Sequence, residues 1–385
     1  MNLFTTMLAA IAVAVPAFAS PATLHTIEKF KGETSGKYIV KLKEGVFKGA
    51  IVGRLRNANI TDEWTVIHGF AGHLGEDALS TLRASPDVES ISEDGIAHTC
   101  ITRFDAPWGL ERISHTSVSS YYYYTLDHQY TYDEPAGAGV DIYIVDTGIQ
   151  ISHNEFVPRA RWGATFGGYP DADGNGHGTH VAGTAGGRTY GVARNANLIA
   201  VKVLSDKGSG AISNIISGLN WIANAVAASR RPSVVNLSLS ASASTPLDDA
   251  VTALVNRGIH VAVAAGNQNI DAGSTSPARA RGTNTIGASD IYDYRAYFSN
   301  FGAVVDFFAP GEDIISSWIG DNNNLEIISG TSMASPHVAG LIAYFIGQSG
   351  NKSPAAMSAL VKSLAVEGVL DDIPPGTVNN LVQNA

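Results

Sequence analysis

The apolar positions in the second two-thirds of the chain follow two alternating patterns. Short, nearly continuous apolar runs rich in β-branched residues are typical of strands buried on both faces of a sheet. Longer stretches with an apolar residue at every third or fourth position are typical of helices packed on such a sheet. The runs that predict strands are 140–146, 198–204, 234–239 and 261–265. The helical patterns occupy 212–226, 247–255 and 338–345.

The order of these patterns predicts the fold class. Strands and helices alternate, which indicates an α/β fold with a mostly parallel sheet covered by helices on both faces. In open sheets of this kind, functional sites form at the carboxyl ends of strands. The segment 121–133 fits neither pattern, because it is crowded with tyrosines and polar residues, and is interpreted as an irregular surface segment.

The amino-terminal end of the chain has the pattern of a targeting sequence. Residues 3–19 are mostly apolar and close on Ala17–Phe18–Ala19, an Ala-x-Ala cleavage pattern, although no Lys or Arg precedes the run. This pattern predicts a secretory signal peptide at 1–19.

The next eighty residues differ in composition from the rest of the chain. They are richer in Lys and Glu, with strand patterns at 37–42 and 88–93 and a helical pattern at 74–85. We therefore expect a small α+β unit at 20–100, followed by the main domain at 101–385.

Composition narrows the range of partners. The 385 residues carry a formal net charge of −10, which argues against nucleic acid as a partner. Beyond the first twenty residues no segment approaches the roughly eighteen uninterrupted apolar residues of a membrane helix, so we expect a soluble product without a membrane partner. The chain has one cysteine, Cys100, so core packing has to provide most of its stability.

A serine lies where a loop of small residues enters a helical pattern. Ser332 belongs to Gly330–Thr331–Ser332–Met333–Ala334–Ser335–Pro336, which precedes the apolar positions of the last predicted helix. The unpaired N–H groups and the dipole at a helix start favour developing negative charge. Such a hydroxyl becomes a nucleophile only with a base and an oxyanion donor.

Candidates for both partners lie upstream. His177 stands among glycines in Asp173–Gly174–Asn175–Gly176–His177–Gly178, which allow close approach of the backbone. Asp146 is the last residue of the first run that predicts a buried strand, and Asn267 comes shortly after the fourth. Both are therefore expected at the carboxyl edge of the sheet.

Each of these residues alone has an ordinary structural interpretation. An Asp after a strand is usually a turn residue, and a Ser before a helix is usually an N-cap. His177 and His180 could form a metal pair, but no glutamate or third ligand accompanies them. The four residues together, each in a long motif, favour catalysis.

The order Asp146, His177, Asn267, Ser332 and the motifs around them resemble the subtilisin-like serine proteases, and within them the secreted proteinase K-like branch. The similarity extends from about Ala106 to the carboxyl terminus. The resemblance implies an Asp146–His177–Ser332 triad with Asn267 as the oxyanion donor. It also implies that 20–100 is an inhibitor-type prodomain, which assists folding, occupies the cleft and is then removed.

The resemblance further implies the residues of the substrate cleft. One edge is Gly208–Ser209–Gly210, which would pair with an extended substrate backbone. The other is Ser238–Leu239–Ser240–Ala241, where the family usually has glycine after the leucine. Ala264–Ala265–Gly266 would form a small, apolar pocket wall. Because no acid is evident there, we expect broad specificity, with aromatic or aliphatic residues before the scissile bond.

Two further sites are expected on weaker grounds. Asp306 matches a position that binds calcium in proteinase K-like relatives, but Arg281 replaces a proline of that site, and an arginine partner for Asp306 is an equal alternative. No cofactor is expected for catalysis. Glycosylation sequons begin at Asn59, Asn236 and Asn351, of which we expect only Asn351 on the mature surface.

These observations predict a secreted, extracellular and monomeric serine endopeptidase. Its partners would be protein and peptide substrates and its own propeptide as an intramolecular inhibitor. The competing interpretations are a catalytically silent binding protein on the same scaffold and a selective processing protease. Intact catalytic motifs argue against the first, and the lack of acidic pocket residues argues against the second.

Overall fold

The computed structural model describes residues 24–30, 34–95, 100–117 and 122–384. The predicted signal peptide lies outside these ranges. Contacts between Cα atoms divide the chain into two compact units, residues 1–97 and 98–385. In the described part of the chain, no helix combines the length and the apolar character needed to cross a membrane.

The first unit is a small α+β fold, as predicted. Its strands form one sheet in the order β1-β5-β2-β4-β3. A core that includes Val40, Phe70, Leu82 and Ile91 lies between this sheet and the helices. The elements are β1 (Ile27–Glu28), β2 (Thr34–Leu42), α1 (Lys48–Val52), β3 (Ala58–Trp64), β4 (Gly69–Leu74), α2 (Glu76–Arg83) and β5 (Val88–Gly95).

The second unit is built on a larger sheet. Within the described residues nine strands form it, in the order β19-β20-β16-β15-β13-β11-β8-β10-β9, and every neighbouring pair except β19 with β20 is parallel. The strands of this unit are β6 (Cys100–Ala106), β7 (His128–Asp133), β8 (Asp141–Asp146), β9 (Ala160–Thr165), β10 (Asn197–Lys202), β11 (Ser233–Leu237), β12 (Ala241–Ser242), β13 (His260–Ala264), β14 (Thr275–Ser276), β15 (Asn284–Ser289), β16 (Phe307–Pro310), β17 (Ile314–Ser317), β18 (Leu325–Ile328), β19 (Val366–Glu367) and β20 (Asn380–Leu381).

Helices cover both faces of this sheet, which confirms the predicted fold class. Along β8, Ile142 and Ile144 belong to one core cluster and Tyr143 and Val145 to the other, because successive side chains point to opposite faces. The first cluster contains residues of α4 and α7, and the second contains residues of α5 and α6. The helices are α3 (Trp108–Arg112), α4 (His177–Gly186), α5 (Ile212–Ser229), α6 (Thr245–Asn256), α7 (Thr331–Ser349) and α8 (Pro354–Leu364).

The prediction of an irregular surface segment at 121–133 is wrong over its second half. Strand β7 occupies His128–Asp133 and pairs antiparallel with β6. Its burial alternates along the strand, with His128, Tyr130 and Tyr132 facing inward. Tyrosine hides a period-two pattern because it counts as polar in sequence but buries its ring. The inward His128 pairs with the buried Glu111 at 2.6 Å.

Candidate active site

Asp146 lies at the carboxyl end of β8, as the position of its motif predicted. Strand β8 lies between β10 and β11 in the sheet, so the Asp146 side chain is fully buried. The N–H of Thr147 donates to its Oδ1 at 2.7 Å. This contact fixes one carboxylate oxygen and leaves the group facing the start of α4.

His177 is the first residue of α4, and its ring is hydrogen-bonded to the Asp146 carboxylate. Its Nδ1 lies 2.8 Å from Oδ1 and 3.0 Å from Oδ2 of Asp146. Because a carboxylate only accepts, Nδ1 carries the proton and Nε2 keeps the free lone pair of a base. Burial lowers the pKa of His177, but the Asp146 charge and hydrogen bond outweigh it, so the net pKa is raised. The imidazolium is therefore stabilised where a general base requires it.

The alternative of a metal site at His177 and His180 has no support in the geometry. His180 is fully buried, and its Nε2 lies 2.9 Å from the carbonyl of Ile314 instead of facing the cleft. Burial lowers the pKa of His180 to about 3. Within the described ranges no three His, Cys, Asp or Glu side chains are grouped as metal ligands.

Ser332 is the second residue of α7, which contains the predicted helical pattern at 338–345 and ends at Ser349. Pro336 lies inside the helix and has no N–H to donate to the carbonyl four residues earlier, which is that of Ser332. The Ser238 hydroxyl donates to this carbonyl instead, at 2.7 Å. The Ser332 Oγ in turn donates to the Ser238 carbonyl at 3.3 Å. Pro336 thus leaves the Ser332 carbonyl open to the Ser238 hydroxyl, which links Ser332 to the residue that follows β11.

Asn267 projects an amide beside the start of the same helix. Its Oδ1 accepts from both the N–H and the hydroxyl of Thr331, at 2.8 and 2.7 Å. Its Nδ2 has no hydrogen-bond partner in the described part of the chain, and Asn267 lines the same cleft as Ser332. The Thr331 hydroxyl also accepts from the N–H of Gly266 at 3.1 Å. Thr331 therefore orients the amide, a role that its sequence motif did not reveal.

His177, Asn267 and Ser332 line one cleft of about 370 Å³. The two predicted edges and most of the predicted wall also line it, and no acidic residue does. Ala265 is the exception, because it is fully buried in a cluster behind the wall. The predicted residues that line the cleft are Gly208, Ser209, Gly210, Ser238, Leu239, Ser240, Ala241, Ala264 and Gly266.

Several lining residues were not predicted from the sequence. Leu204, Ile212 and Ile215 add an apolar wall beside the first edge, and Gln268 adds a polar group next to Asn267. Leu204 lies two residues after the end of β10, so its place after a buried strand was a usable signal. On the second edge, Ala241 starts the short strand β12, which pairs with β14.

Asp306 is a half-buried carboxylate that forms no ion pair with a lysine or arginine among the described residues, although the charge of Lys362 lowers its pKa. Burial raises the pKa of Asp306 to about 6, although the N–H of Thr285 donates to its Oδ2 at 2.9 Å. The described residues therefore give no support to the alternative of an arginine partner for Asp306.

The sequon residues differ in exposure. Asn236 is fully buried, where its amide donates to Ser238 and accepts from Ser335. Asn351 is exposed, with its Oδ1 2.8 Å from Nε2 of His260.

Two regions of the chain match known protein families. Residues 52–99 match the family described as "Peptidase inhibitor I9". Residues 137–382 match the one described as "Subtilase family". The second match spans the strands, helices and loops that form the cleft.

Whole-chain comparisons agree with these matches. Subtilisin-like serine protease Pen ch 18 of Penicillium rubens is 45% identical over 336 residues, which cover 82% of this chain and 67% of that one. Subtilisin-like protease 2 of Pseudogymnoascus destructans is 47% identical over 324 residues, covering 83% and 78%. Alkaline protease 2 of Aspergillus fumigatus is 44% identical over 343 residues, covering 82% and 68%.

A solved structure supports the same conclusion. The crystal structure of a cold-adapted subtilisin-like serine proteinase superposes with a TM-score of 0.66 and 42% identity, over 73% of this chain and 99% of that one. The chain belongs to the subtilase family and is a subtilisin-like serine protease with an I9 propeptide.

Proposed function

We propose that this protease is a secreted endopeptidase of broad specificity that acts through Asp146, His177 and Ser332. One observation carries the proposal: an Asp-oriented histidine, a helix-start serine and a free amide donor surround one open cleft. The cleft is lined mainly by small and apolar residues, as a site for extended peptides requires.

The proposed reaction is acyl transfer. The Ser332 Oγ attacks the peptide carbonyl while Nε2 of His177 takes the hydroxyl proton, and Asp146 stabilises the imidazolium. The Asn267 Nδ2 and the Ser332 N–H donate to the tetrahedral oxyanion. His177 then returns the proton to the leaving amine, and water repeats the cycle on the acyl-enzyme.

The specificity follows from the pocket chemistry. A wall of Ala264 and Gly266 without a lining acid gives no partner to Arg or Lys before the scissile bond. We expect aromatic and larger aliphatic residues there, with Ser240 limiting the bulkiest. Ser240 is exposed at the cleft edge, where the family usually has glycine.

Maturation and secretion complete the proposal. The I9 match supports a propeptide at 20–100 that occupies the cleft intramolecularly and is cleaved to leave 101–385 as a monomeric enzyme. The apolar run with its Ala-x-Ala end supports export through a signal peptide at 1–19. Asn351, on an exposed loop, is the proposed glycosylation site.

The activity is tested by replacing the nucleophile. The Ser332→Ala variant should lose labelling by a sulfonyl fluoride and retain only trace peptide hydrolysis, whereas Ser217→Ala, on exposed α5 surface, should behave as wild type. Full activity in Ser332→Ala protein would end the proposal. Hydrolysis of a peptide library by the wild type tests specificity, and a strict need for Arg or Lys would contradict it.

A second proposal concerns calcium at Asp306. The Asp306 carboxylate and neighbouring main-chain carbonyls, including that of Arg281, would hold the ion and thereby compensate a buried charge. Removing Ca²⁺ with EGTA should lower the Tm of the inhibitor-inactivated wild type by roughly 5–10 °C, if the ion is present at about 100 times its Kd. Asp306→Asn should be insensitive to EGTA. An equal loss in both proteins would contradict the site.

A further inference from the structure

Asp173 is a buried carboxylate between the turn after β8 and the start of α4. It is 9% exposed and accepts five hydrogen bonds. Its Oδ1 accepts from the Thr147 hydroxyl at 2.9 Å and from the N–H groups of Asn175 and Gly176 at 3.0 and 2.9 Å. Its Oδ2 accepts from the N–H and the hydroxyl of Thr179, at 3.0 and 2.6 Å.

These hydrogen bonds connect Asp173 to the two segments that carry Asp146 and His177. Thr147 donates its N–H to Asp146 and its hydroxyl to Asp173, and the same hydroxyl accepts from the N–H of Gly178 at 3.0 Å. The other donors to Asp173 lie within two residues of His177 on either side. The turn after Asp146 and the start of the helix that carries His177 are therefore both hydrogen-bonded to Asp173.

No lysine or arginine neutralises Asp173 within the described residues; its charge is met by N–H and O–H donors. A buried carboxylate without a counter-ion is costly unless such donors fully satisfy it, and the helix dipole assists at this position. Lys202, a buried cation, donates to the Thr147 carbonyl at 2.6 Å and to Asp206 at 2.7 Å. The charge of Asp173 is among the causes that raise the pKa of His177.

We propose that Asp173 is a positioning residue for His177. It holds the imidazole against Asp146 through Thr147 and the first turn of α4, and its charge favours the imidazolium that forms in the reaction. This inference rests on the proposed role of His177 as the general base.

The charges around His177 determine in which direction its pKa should change when Asp173 is replaced. Asp146 from β8 and Asp173 from the loop before α4 both raise the pKa of His177, and burial lowers it. One turn along α4, His180 has its pKa lowered to about 3, so it is neutral at working pH. Lys202 from β10 is paired with Asp206. Removing the Asp173 charge should therefore lower the pKa of His177.

The test is the pH dependence of peptide p-nitroanilide hydrolysis by Asp173→Asn. We expect kcat to fall about 10-fold or more with KM within about twofold, because orientation is lost and the substrate contacts remain. The acidic limb of kcat/KM should move down by on the order of 0.5 pH unit. Asp171→Asn, an exposed carboxylate two residues earlier, is the matched control and should leave both unchanged.

The outcomes separate this inference from the proposed function. A folded Asp173→Asn enzyme with a lower Tm but an unmoved acidic limb would show a purely structural role and overturn the inference. A wild type without hydrolysis would instead sink the proposed function. If Asp173→Asn does not fold, two variants of Thr147 provide the test. Thr147→Val should have a lower kcat than the wild type, and Thr147→Ser, which keeps the hydroxyl, should have a kcat close to that of the wild type. Equal kcat in the two variants would overturn the inference.

Discussion

The amide of Asn267 has one orientation because Thr331 occupies its oxygen twice. A donor held in place before the substrate arrives costs no reorganisation in the transition state. Its contribution should therefore appear in kcat and not in substrate binding.

Asn267→Ala should lower kcat by roughly 10²–10³ and leave KM nearly unchanged, since the oxyanion exists only after the serine attacks. Steady-state kinetics on a short peptide substrate measures both constants. Gln268→Ala, the neighbouring residue in the same cleft, is the control and should retain most of the kcat. A variant with a raised KM and normal kcat would assign Asn267 to substrate binding.

At the residue scale, the motifs indicated the candidate catalytic groups but not the residues that contact and orient them. Asp146, His177, Asn267 and Ser332 stand in distinctive local sequences, so each could be predicted as a candidate. Thr331 and Asp173 act through contacts with residues 64 and 26 positions away, which no local pattern encodes. Ala265 was assigned to the wall because position alone does not tell which way a side chain points after a strand has ended.

At the element scale, the close contact of α7 with α4 depends on Gly340 having no side chain. A Cβ placed on Gly340 would lie 2.6 Å from the Ala185 carbonyl oxygen and 2.7 Å from the Val192 Cβ. Both neighbours are fully buried, so neither can move away cheaply. Because α7 begins at Thr331 and α4 begins at His177, the packing of α7 on α4 also affects where Ser332 lies relative to His177.

Gly340→Ala should destabilise the protein by about 1–3 kcal/mol despite the higher helix propensity of alanine, because overpacking outweighs propensity. Thermal unfolding of the inhibitor-inactivated enzyme measures the change. Ser217→Ala, on the exposed face of α5, should change the stability by less than about 0.5 kcal/mol. A Gly340→Ala protein as stable as wild type would show that α4 and α7 can separate without cost.

Element prediction succeeded where apolar runs were continuous and failed where tyrosine carried the burial. The predicted strands and helices of the main sheet correspond to β8, β10, β11 and β13 and to α5, α6 and α7. Strand β7 was missed because Tyr130 and Tyr132 bury their rings while their hydroxyls make the sequence look polar. Its pairing with β6 also spans more than twenty residues, beyond the reach of local pattern.

At the scale of the whole molecule, two units with separate cores have separate tasks. The first unit matches an inhibitor family and the second a peptidase family. The larger unit depends on parallel pairs between strands distant in sequence, a topology that folds slowly because loop closure precedes the stabilising contacts. A covalently attached folding partner that also blocks the cleft would aid folding and protect the producing cell.

The maturation step follows from this division of tasks. If the enzyme cuts itself, the cleavage should fall between about Thr99 and Phe104, because the inhibitor match ends at residue 99 and the second compact unit begins at residue 98. Ser332→Ala protein should accumulate as an uncut proform, roughly eighty residues longer than the mature enzyme. Gel mobility and amino-terminal sequencing of both secreted proteins measure this difference, with Ser217→Ala as a variant that should mature normally. Fully active wild-type protein that starts near Ser20 would contradict removal of the propeptide, and normal cleavage of Ser332→Ala would assign the cut to another protease.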